Sequence, residues 1–181
     1  MLLTEIKNNA ATIFPTIVEY RRHLHSNPEL SFQEYQTSAF IKSRLDALDI
    51  SWQPMANTGV VAIIQGEKSS GKTIALRADM DALPITETNN AIYCSQNTGV
   101  MHACGHDAHT ASLMGVAVIL HTLRNQFDGT VKLLFQPGEE KNPGGASYMI
   151  RDGVLQNPAP TGIVALHVHP GLDFGKLSFR T

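Results

Sequence analysis

The sequence predicts an α/β protein in which helices cover both faces of a central sheet, a three-layer α/β/α sandwich. Strand-like and helical segments alternate along the chain, and the strand-like segments are apolar nearly throughout, as is typical of strands buried on both faces. With 181 residues, 43% of them hydrophobic, the chain is long enough for one packed domain. In such sheets, ligand sites lie in the loops beyond the carboxyl ends of the strands.

The first part of the chain predicts two helices. Apolar residues recur at helical spacing over residues 4–26, with a kink expected at Pro15. An Asn-Pro-Glu sequence then breaks the pattern. Ser31, followed three residues later by Glu34, has the spacing of a capping box, which predicts a second helix over residues 31–48.

The rest of the chain predicts alternating strands and helices. Runs rich in Val, Ile and Leu indicate strands, and segments that are apolar nearly all round indicate buried helices. In chain order we predict a strand at 58–65, a turn at 66–71, a strand at 73–78, a buried helix at 108–123, a strand at 130–136, a short helix at 144–151, a buried strand at 162–168 and an extended segment at 172–181.

Charge and composition exclude several classes of function. Lys and Arg number 14 against 16 Asp and Glu, and no basic stripe occurs, which argues against nucleic-acid binding. No apolar run approaches the roughly 20 residues of a membrane span. The first residues lack the pattern of a secretory signal, and two cysteines make a poor disulfide framework. We therefore expect a reduced, cytoplasmic protein that binds no membrane.

The polar residues predict a metal site. Eight histidines are present, and histidine is a common transition-metal ligand. Several of them stand with acidic residues and one cysteine at predicted strand ends or just before the predicted buried helix, namely Asp79, Asp81, Cys104, His106, Glu139, Glu140, His167 and His169. Polar groups collected at strand ends of an apolar scaffold are the pattern of a metal site in an α/β fold.

Two of these pairs carry most of the chemistry. The Cys104 thiolate and the His106 imidazole can reach one metal or a metal pair; the alternative is a buried free cysteine beside a capping histidine. The adjacent carboxylates of Glu139 and Glu140 repel each other unless a cation or proton lies near. One could ligate metal while the other handles protons; the alternative is a solvated acidic loop balanced by Lys141.

The other candidates have weaker signals. Asp79 and Asp81 face the same side of an extended segment and could orient a ligand histidine, or they could only form a turn. His167 and His169 share a face in the same way, so either both reach the cleft or one borders it. A structural role is favoured for the remaining candidates, His23, His25, His121 and Cys94.

Five segments, in this order along the chain, closely resemble the metal-dependent amidohydrolases of the aminoacylase and hippurate-hydrolase type. That family also contains auxin-conjugate hydrolases and enzymes like N-acetyl-diaminopimelate deacetylase. The segments are RHLHSNPELSF at 22–32, RADMDALPI at 77–85, MHACGHDAH at 101–109, FQPGEE at 135–140 and ALHVHPG at 165–171.

The resemblance implies a catalytic domain of the zinc-dependent exopeptidase type with two divalent metal ions, Mn, Zn, Co or Ni. Four positions match metal ligands, with the cysteine bridging: Cys104, His106, Glu140 and His167. Glu139 matches the general base. Asp79, Asp81 and His109 match supporting positions. The implied reaction is hydrolysis of the amide bond of a small N-acyl amino acid by metal-activated water.

Members of that family are about twice as long as this chain. The resemblance therefore implies that residues 1–181 are the N-terminal part of the catalytic domain, without the lid or dimerisation domain and without the C-terminal part that supplies a further histidine ligand. Full-length relatives are expected to be homo-oligomers. One alternative is an inactive truncated fragment or a split subunit that needs a partner chain. Another is a Cys–His nucleophilic hydrolase using Cys104, which leaves Glu139 and Glu140 unexplained.

Overall fold

A computed structural model describes residues 2–179, apart from the side chains of residues 68–70, and confirms the predicted α/β class. A five-stranded mixed sheet lies between helices. The elements are α1 (Leu2–Ser26), α2 (Tyr35–Asp46), β1 (Trp52–Met55), β2 (Gly59–Gln65), β3 (Lys68–Asp79), α3 (His106–Thr122), a 3-10 turn (Arg124–Gln126), β4 (Asp128–Gln136), α4 (Gly145–Arg151) and β5 (Ile163–Ala165).

The strand order brings the predicted polar segments to one edge of the sheet. The order is β1-β2-β4-β3-β5; β1, β2 and β4 pair antiparallel in succession, whereas β3 is parallel to both β4 and β5. Asp79 at the end of β3 pairs with Gln136 at the end of β4, and Arg77 pairs with Ala165 of β5. Because parallel strands end at the same edge, the loops that follow β3, β4 and β5 lie side by side.

Two apolar cores hold the layers together. On one face, Ile41 of α2 and Met114 of α3 pack against Leu133 and Phe135 of β4. On the other face the shorter helix α4 contributes Met149, which packs with β-strand side chains. Helix α1 lies outside α3 and makes extensive contact with it. None of the helices within residues 2–179 is both long enough and apolar enough to cross a membrane.

A buried lysine fastens the segment after α4 to the sheet. Lys132 of β4 is 2% exposed, and its Nζ donates to the backbone oxygens of Val154, Gln156 and Pro158 at 2.8, 2.8 and 3.0 Å. An ammonium group has three N–H donors, so all of them are satisfied. Burial lowers the pKa of Lys132, and the three carbonyl dipoles compensate the buried group.

The predicted capping box at the start of α2 is wrong. Helix α2 begins only at Tyr35, and neither Ser31 nor Glu34 caps it through its side chain. The Glu29 carboxylate takes that role, because its oxygens accept hydrogen bonds from the backbone amides of Gln36 and Thr37 at 3.0 and 2.8 Å. Ser31 and Glu34 turn instead toward the loops at the carboxyl edge, where buried partners are available.

Strand β1 is missing from the sequence prediction. It is four residues long and contains Pro54, which has no N–H and therefore weakens any strand pattern. It is tolerated because β1 is an edge strand that pairs only with β2 among the described elements. In the other elements before residue 152 the helices and strands are of the predicted types, with ends shifted by a few residues, and α1 continues through Pro15 as one helix. The predicted turn at 66–71 is wrong in its extent, because β3 already begins at Lys68, which pairs with Asp128 of β4.

The predicted buried strand at 162–168 is wrong in its burial and its length. Strand β5 covers only Ile163–Ala165, at the sheet edge, and Ile163 and Val164 are 51% and 50% exposed. Within residues 2–179 it pairs with β3 alone, so one side of the strand has no partner. No strand forms over residues 172–179, and the last two residues of the predicted extended segment lie outside the described residues.

Replacing Lys132 by Met tests the buried amine. The variant keeps the length of the side chain but leaves three backbone carbonyls without their donor, so we expect the free energy of unfolding to fall by about 3 kcal/mol. Urea denaturation measures it. Lys7→Met, at an exposed position of α1, is the matched control and should change stability by less than about 0.5 kcal/mol. Equal midpoints for the two variants would contradict this account.

Candidate metal centre

Seven of the predicted site residues come together at the carboxyl edge of the sheet, and Asp81 contacts one of them, His106. Three overlapping groups have one possible ligand atom per residue within 4.8 Å of the others: Cys104, His106 and His167; Asp79, His106 and His109; and His106, Glu139 and Glu140. His106 belongs to all three groups. It is the first residue of α3 and is 1% exposed, so it is the centre of the cluster.

The His106 ring is fixed on one side and unpartnered on the other. Its Nδ1 donates to the backbone oxygen of Asp81 at 2.9 Å, which leaves Nε2 as the free nitrogen. Nε2 is buried, has no hydrogen-bond partner among the described residues, and lies 3.7 Å from a carboxylate oxygen of both Asp79 and Glu140. Burial lowers the pKa of His106, but the hydrogen bond to Asp81 and the charges of Asp79 and Asp81 outweigh it and raise the pKa. The surroundings therefore favour positive charge here, from a proton or a metal cation.

Asp79 and His109 form a supporting pair. His109 Nδ1 lies 2.6 Å from Asp79 Oδ1, and His109 Nε2 accepts the amide of Val168 at 2.9 Å, so both ring nitrogens are occupied. Asp79 also forms an ion pair with Arg77 at 2.6 Å. Burial raises the pKa of Asp79, but the bond from His109 and the charges of His106 and Arg77 lower it overall. Asp79 is thus held as a carboxylate beside His106.

Asp81 connects three parts of the chain. Its Oδ2 accepts the Ser31 hydroxyl at 2.6 Å and the backbone amide of Glu140 at 3.0 Å, and its Oδ1 lies 3.3 Å from His106 Nδ1. Burial alone would raise the pKa of Asp81. The hydrogen bonds from His106, Ser31 and the amides of Glu139 and Glu140 are stronger together and lower it to about 2. Asp81 therefore stays ionised and ties Glu140 to the start of α3.

The loop that carries Glu139 and Glu140 is held by a second buried carboxylate. Glu34 is 0% exposed, and its oxygens accept the amide of Gly138 at 2.7 Å and the hydroxyl of Thr58 at 2.5 Å. Burial dominates over these bonds and raises the pKa of Glu34. The loop closes against α4 through a hydrogen bond from Gly145 N to Gly138 O at 2.9 Å.

Cys104 and His167 complete the cluster on its open side. Cys104 Sγ and His167 Nε2 are 3.5 Å apart, and His167 Nδ1 donates to the backbone oxygen of Val168 at 2.6 Å. Burial, followed by Glu140 and other nearby carboxylates, raises the pKa of the Cys104 thiol to about 11. A thiolate at this position therefore needs a cation close to the sulfur.

The remaining predicted candidates lie outside the three groups. His169 Nδ1 accepts the amide of Gly171 at 3.1 Å. His23 stacks on Phe40, and His121 contacts Arg124. Cys94 makes only contacts within its own loop, the shortest of them 2.6 Å to the oxygen of Ala91.

Sequence reasoning missed a buried ion-pair network next to this cluster. His25 does not stand apart, because its Nδ1 lies 2.8 Å from Asp107, the residue after His106, and its Nε2 lies 2.9 Å from Glu87. A spacing of 82 residues between His25 and Asp107 offered no signal of the pairing. His102 in the same region is 5% exposed, neither ring nitrogen has a partner among the described residues, and burial lowers its pKa to about 4.

The matches to known proteins cover the residues of this cluster. The family model described as peptidase family M20/M25/M40 matches residues 75–181. N-acetyl-L-cysteine deacetylase of Bacillus subtilis is 45% identical over 174 residues, which cover 96% of this chain and 41% of that protein. N-acyl-L-amino acid amidohydrolase of Geobacillus stearothermophilus is 41% identical over 178 residues, covering 98% of this chain and 47% of that protein. The chain thus spans a little under half the length of these relatives.

Solved structures agree in fold. The YXEP protein of Bacillus subtilis, described as a dinuclear metal-binding peptidase of the M20 family, matches with a TM-score of 0.84 and 41% identity over 90% of this chain and 45% of its own. A putative aminohydrolase of methicillin-resistant Staphylococcus aureus matches with a TM-score of 0.87 and 40% identity over 91% of this chain and 42% of its own. The fold and the matched relatives define a class of hydrolases, in which the YXEP protein is described as binding a dinuclear metal. Within that class, the chain belongs to the peptidase family M20/M25/M40, and the predicted resemblance is confirmed.

Replacing Gly145 by Ala tests how tightly the Glu139–Glu140 loop is closed. A Cβ at Gly145 would lie 1.7 Å from the backbone oxygen of Pro137, which cannot turn aside as a flexible side chain can. We expect the free energy of unfolding to fall by about 3 kcal/mol, measured by urea denaturation. Gly162→Ala is the control, because nothing lies within 4 Å of its Cβ position. A Gly145→Ala protein as stable as the control would mean that this loop moves freely.

Proposed function

We propose that this chain is the N-terminal part of the catalytic domain of a metal-dependent amidohydrolase that cleaves small N-acyl amino acids. The observation that carries the proposal is the buried, unpartnered Nε2 of His106 among carboxylates and a thiol. The names of two relatives, a deacetylase of N-acetyl-L-cysteine and an amidohydrolase of N-acyl-L-amino acids, support the substrate class.

The residues that would hold a divalent metal pair are Cys104, His106, Glu140 and His167. These residues fit such a pair, because the tautomer of His106 presents a bare nitrogen lone pair and the carboxylates around it call for positive charge. Sulfur, nitrogen and oxygen donors together suit Zn, Mn, Co or Ni. Bound metal supplies a Lewis acid that polarises the amide carbonyl and lowers the pKa of water toward about 7.

In the proposed reaction Glu139 transfers protons, and Glu140 binds metal. Glu139 accepts a proton from the attacking water on its carboxylate and delivers it to the nitrogen of the leaving amine, giving a carboxylate and a free amino acid. Glu140 is held by its backbone amide on Asp81, so its side chain stays directed at His106. Asp79 and His109 support this arrangement from the buried side of the cluster.

The rival in which Cys104 is a nucleophile is disfavoured by its electrostatics. Only a thiolate attacks an amide, and reactive cysteines lie in positive surroundings that lower the pKa. Here burial and the neighbouring carboxylates raise the pKa of Cys104 to about 11.

A second proposal is favoured by the exposed edge: the chain acts only with a further segment that covers β5. Ile163, Val164 and Leu166 are half or more exposed, an unusual state for consecutive apolar residues at a sheet edge. The chain also spans only 41% and 47% of the two relatives named above. A segment on this edge would lie beside His167.

The first test separates the two adjacent carboxylates. In the protein completed by the remaining half of the catalytic domain, we expect Glu139→Gln to abolish turnover while bound metal is retained, because this carboxylate only moves protons. Glu140→Gln is the matched control and should lose metal. Metal content by plasma mass spectrometry, measured with turnover, decides between them. Loss of metal from Glu139→Gln alone would show that the two roles are exchanged.

The second test concerns the 181-residue chain by itself. Four protein ligands are too few to complete the coordination of two metals, so we expect at most one tightly bound ion. Hydrolysis of N-acetyl or N-benzoyl amino acids should be negligible, and the exposed β5 edge should cause self-association, detectable by light scattering. Robust, chelator-sensitive turnover by a monodisperse preparation would contradict both expectations.

A further inference from the structure

The Cys104 ligand is delivered by a long irregular segment. Residues 80–105, all of them described, join β3 to α3 without a helix or a named strand. Connections of this length without secondary structure are uncommon in compact domains and are usually functional. Cys104 lies at the end of this segment and His106 begins α3, so their relative position depends on what holds the segment in place.

The last turn of α1 and the residues after it hold that segment. The Ser26 hydroxyl donates to the backbone oxygen of Tyr93 at 2.9 Å, and the backbone oxygen of Ser26 accepts the amide of Gln96 at 2.8 Å. The Asn97 side chain donates to the backbone oxygen of Pro28 at 2.7 Å. These contacts fasten the middle of the segment to the end of α1.

His25 is the charged centre of this attachment. Its two ring nitrogens lie 2.8 Å from Asp107 Oδ2 and 2.9 Å from Glu87 Oε1. Carboxylates only accept hydrogen bonds, so both nitrogens must carry protons and the ring is an imidazolium. Arg21 Nε also contacts Asp107, at 2.7 Å. The positive charges of His25 and Arg21 therefore balance the negative charges of Glu87 and Asp107.

The network is buried and joins three parts of the chain. The side chains of His25, Glu87 and Asp107 are 5%, 3% and 1% exposed. Glu87 belongs to the irregular segment and Asp107 to the first turn of α3, while His25 comes from α1. The hydrogen bond with Asp107 raises the pKa of His25 against the effect of burial, with a further contribution from Glu87. Arg21 Nη2 also lies 3.3 Å from His25 Nδ1, and the rings of His102 and Tyr93 lie 6.4 and 5.6 Å from the His25 ring between centres.

We propose that His25 is a positioning residue for the metal centre: by bridging Glu87 and Asp107 it fixes the segment that carries Cys104 against the helix that begins with His106. The inference rests on the proposed function, because it takes Cys104 and His106 to be metal ligands. Without His25, Glu87 and Asp107 would retain one positive partner between them, Arg21, and a net negative charge would stay buried. The segment would then shift to let water reach Glu87, moving Cys104 away from His106.

Cobalt(II) titration of the 181-residue chain tests this placement. A thiolate bound to cobalt gives a charge-transfer absorption in the near ultraviolet, and its loss in Cys104→Ser assigns the band to Cys104 rather than Cys94. In His25→Gln we expect a weaker band and a cobalt affinity lower by a factor on the order of 10–100, as for other residues that orient ligands. His23→Gln, on the same helix but exposed, is the matched control and should behave like the native chain.

Two further variants separate positioning from general stabilisation. His25→Gln/Glu87→Gln restores charge balance and permits an amide–amide hydrogen bond, so we expect it to recover much of the band and affinity. Glu87→Gln alone should lower affinity less than His25→Gln, and it gives a second measure if His25→Gln does not fold. Circular dichroism confirms folding of each variant at the titration temperature.

The outcomes are distinct. A folded His25→Gln chain, or a folded Glu87→Gln chain where His25→Gln does not fold, with the native band and affinity overturns the positioning role, as does an equal loss in His23→Gln. Failure of the charge-restoring double variant to recover affinity also contradicts it. If the native chain shows no band that Cys104→Ser removes, the proposed ligand role of Cys104 fails, and the role of His25 fails with it.

Discussion

The structure around the site depends on one electrostatic constraint: acidic groups and a thiol surround the buried imidazole of His106. Asp79, Glu139 and Glu140 contribute possible ligand oxygens to the groups that contain His106, and Asp81 binds its Nδ1 side. Buried carboxylates are stable only when hydrogen-bonded or matched by positive charge. Much of the surrounding structure supplies these partners, in the form of backbone amides, a serine hydroxyl and an arginine.

The segment from the end of α1 to the start of α2 supplies several of those partners without joining the cluster. Ser31 binds Asp81, Glu34 binds the loop before Glu139, and His25 binds Asp107. The three contacts reach the loop after β3, the loop after β4 and the first turn of α3. This explains why a part of the sequence that resembles the family so closely carries none of the proposed ligands: it determines where the ligand-bearing loops lie.

Local patterns predicted most of the elements, and the polar residues at predicted strand ends predicted the cluster. The sequence pattern was sufficient to predict α3 and β4, because both segments are apolar nearly throughout. Prediction failed where a distant partner decides the outcome. Ser31 and Glu34 have a capping spacing, yet buried acceptors and donors elsewhere bind them more strongly. His25 looked unremarkable because its carboxylate partners lie 62 and 82 residues away in the chain.

The two sides of the cluster differ in how firmly their side chains are held. The less firmly held side lies next to the exposed edge of the sheet. His106 is held by a buried hydrogen bond to Asp81 in the loop after β3. His167 is exposed; its Nδ1 bonds only to the next residue, Val168, and its Nε2 lies 3.5 Å from Cys104 Sγ. Val168 in turn donates to His109, and the His167 ring lies 4.5 Å from the His109 ring between centres, so the segment after β5 contacts the buried side of the cluster through His109. Preorganised donors bind metal without an ordering cost, but a donor on an uncovered strand must first be ordered. In the proposed site, a segment that covers β5 would therefore order His167 for metal binding while leaving the geometry at His106 unchanged.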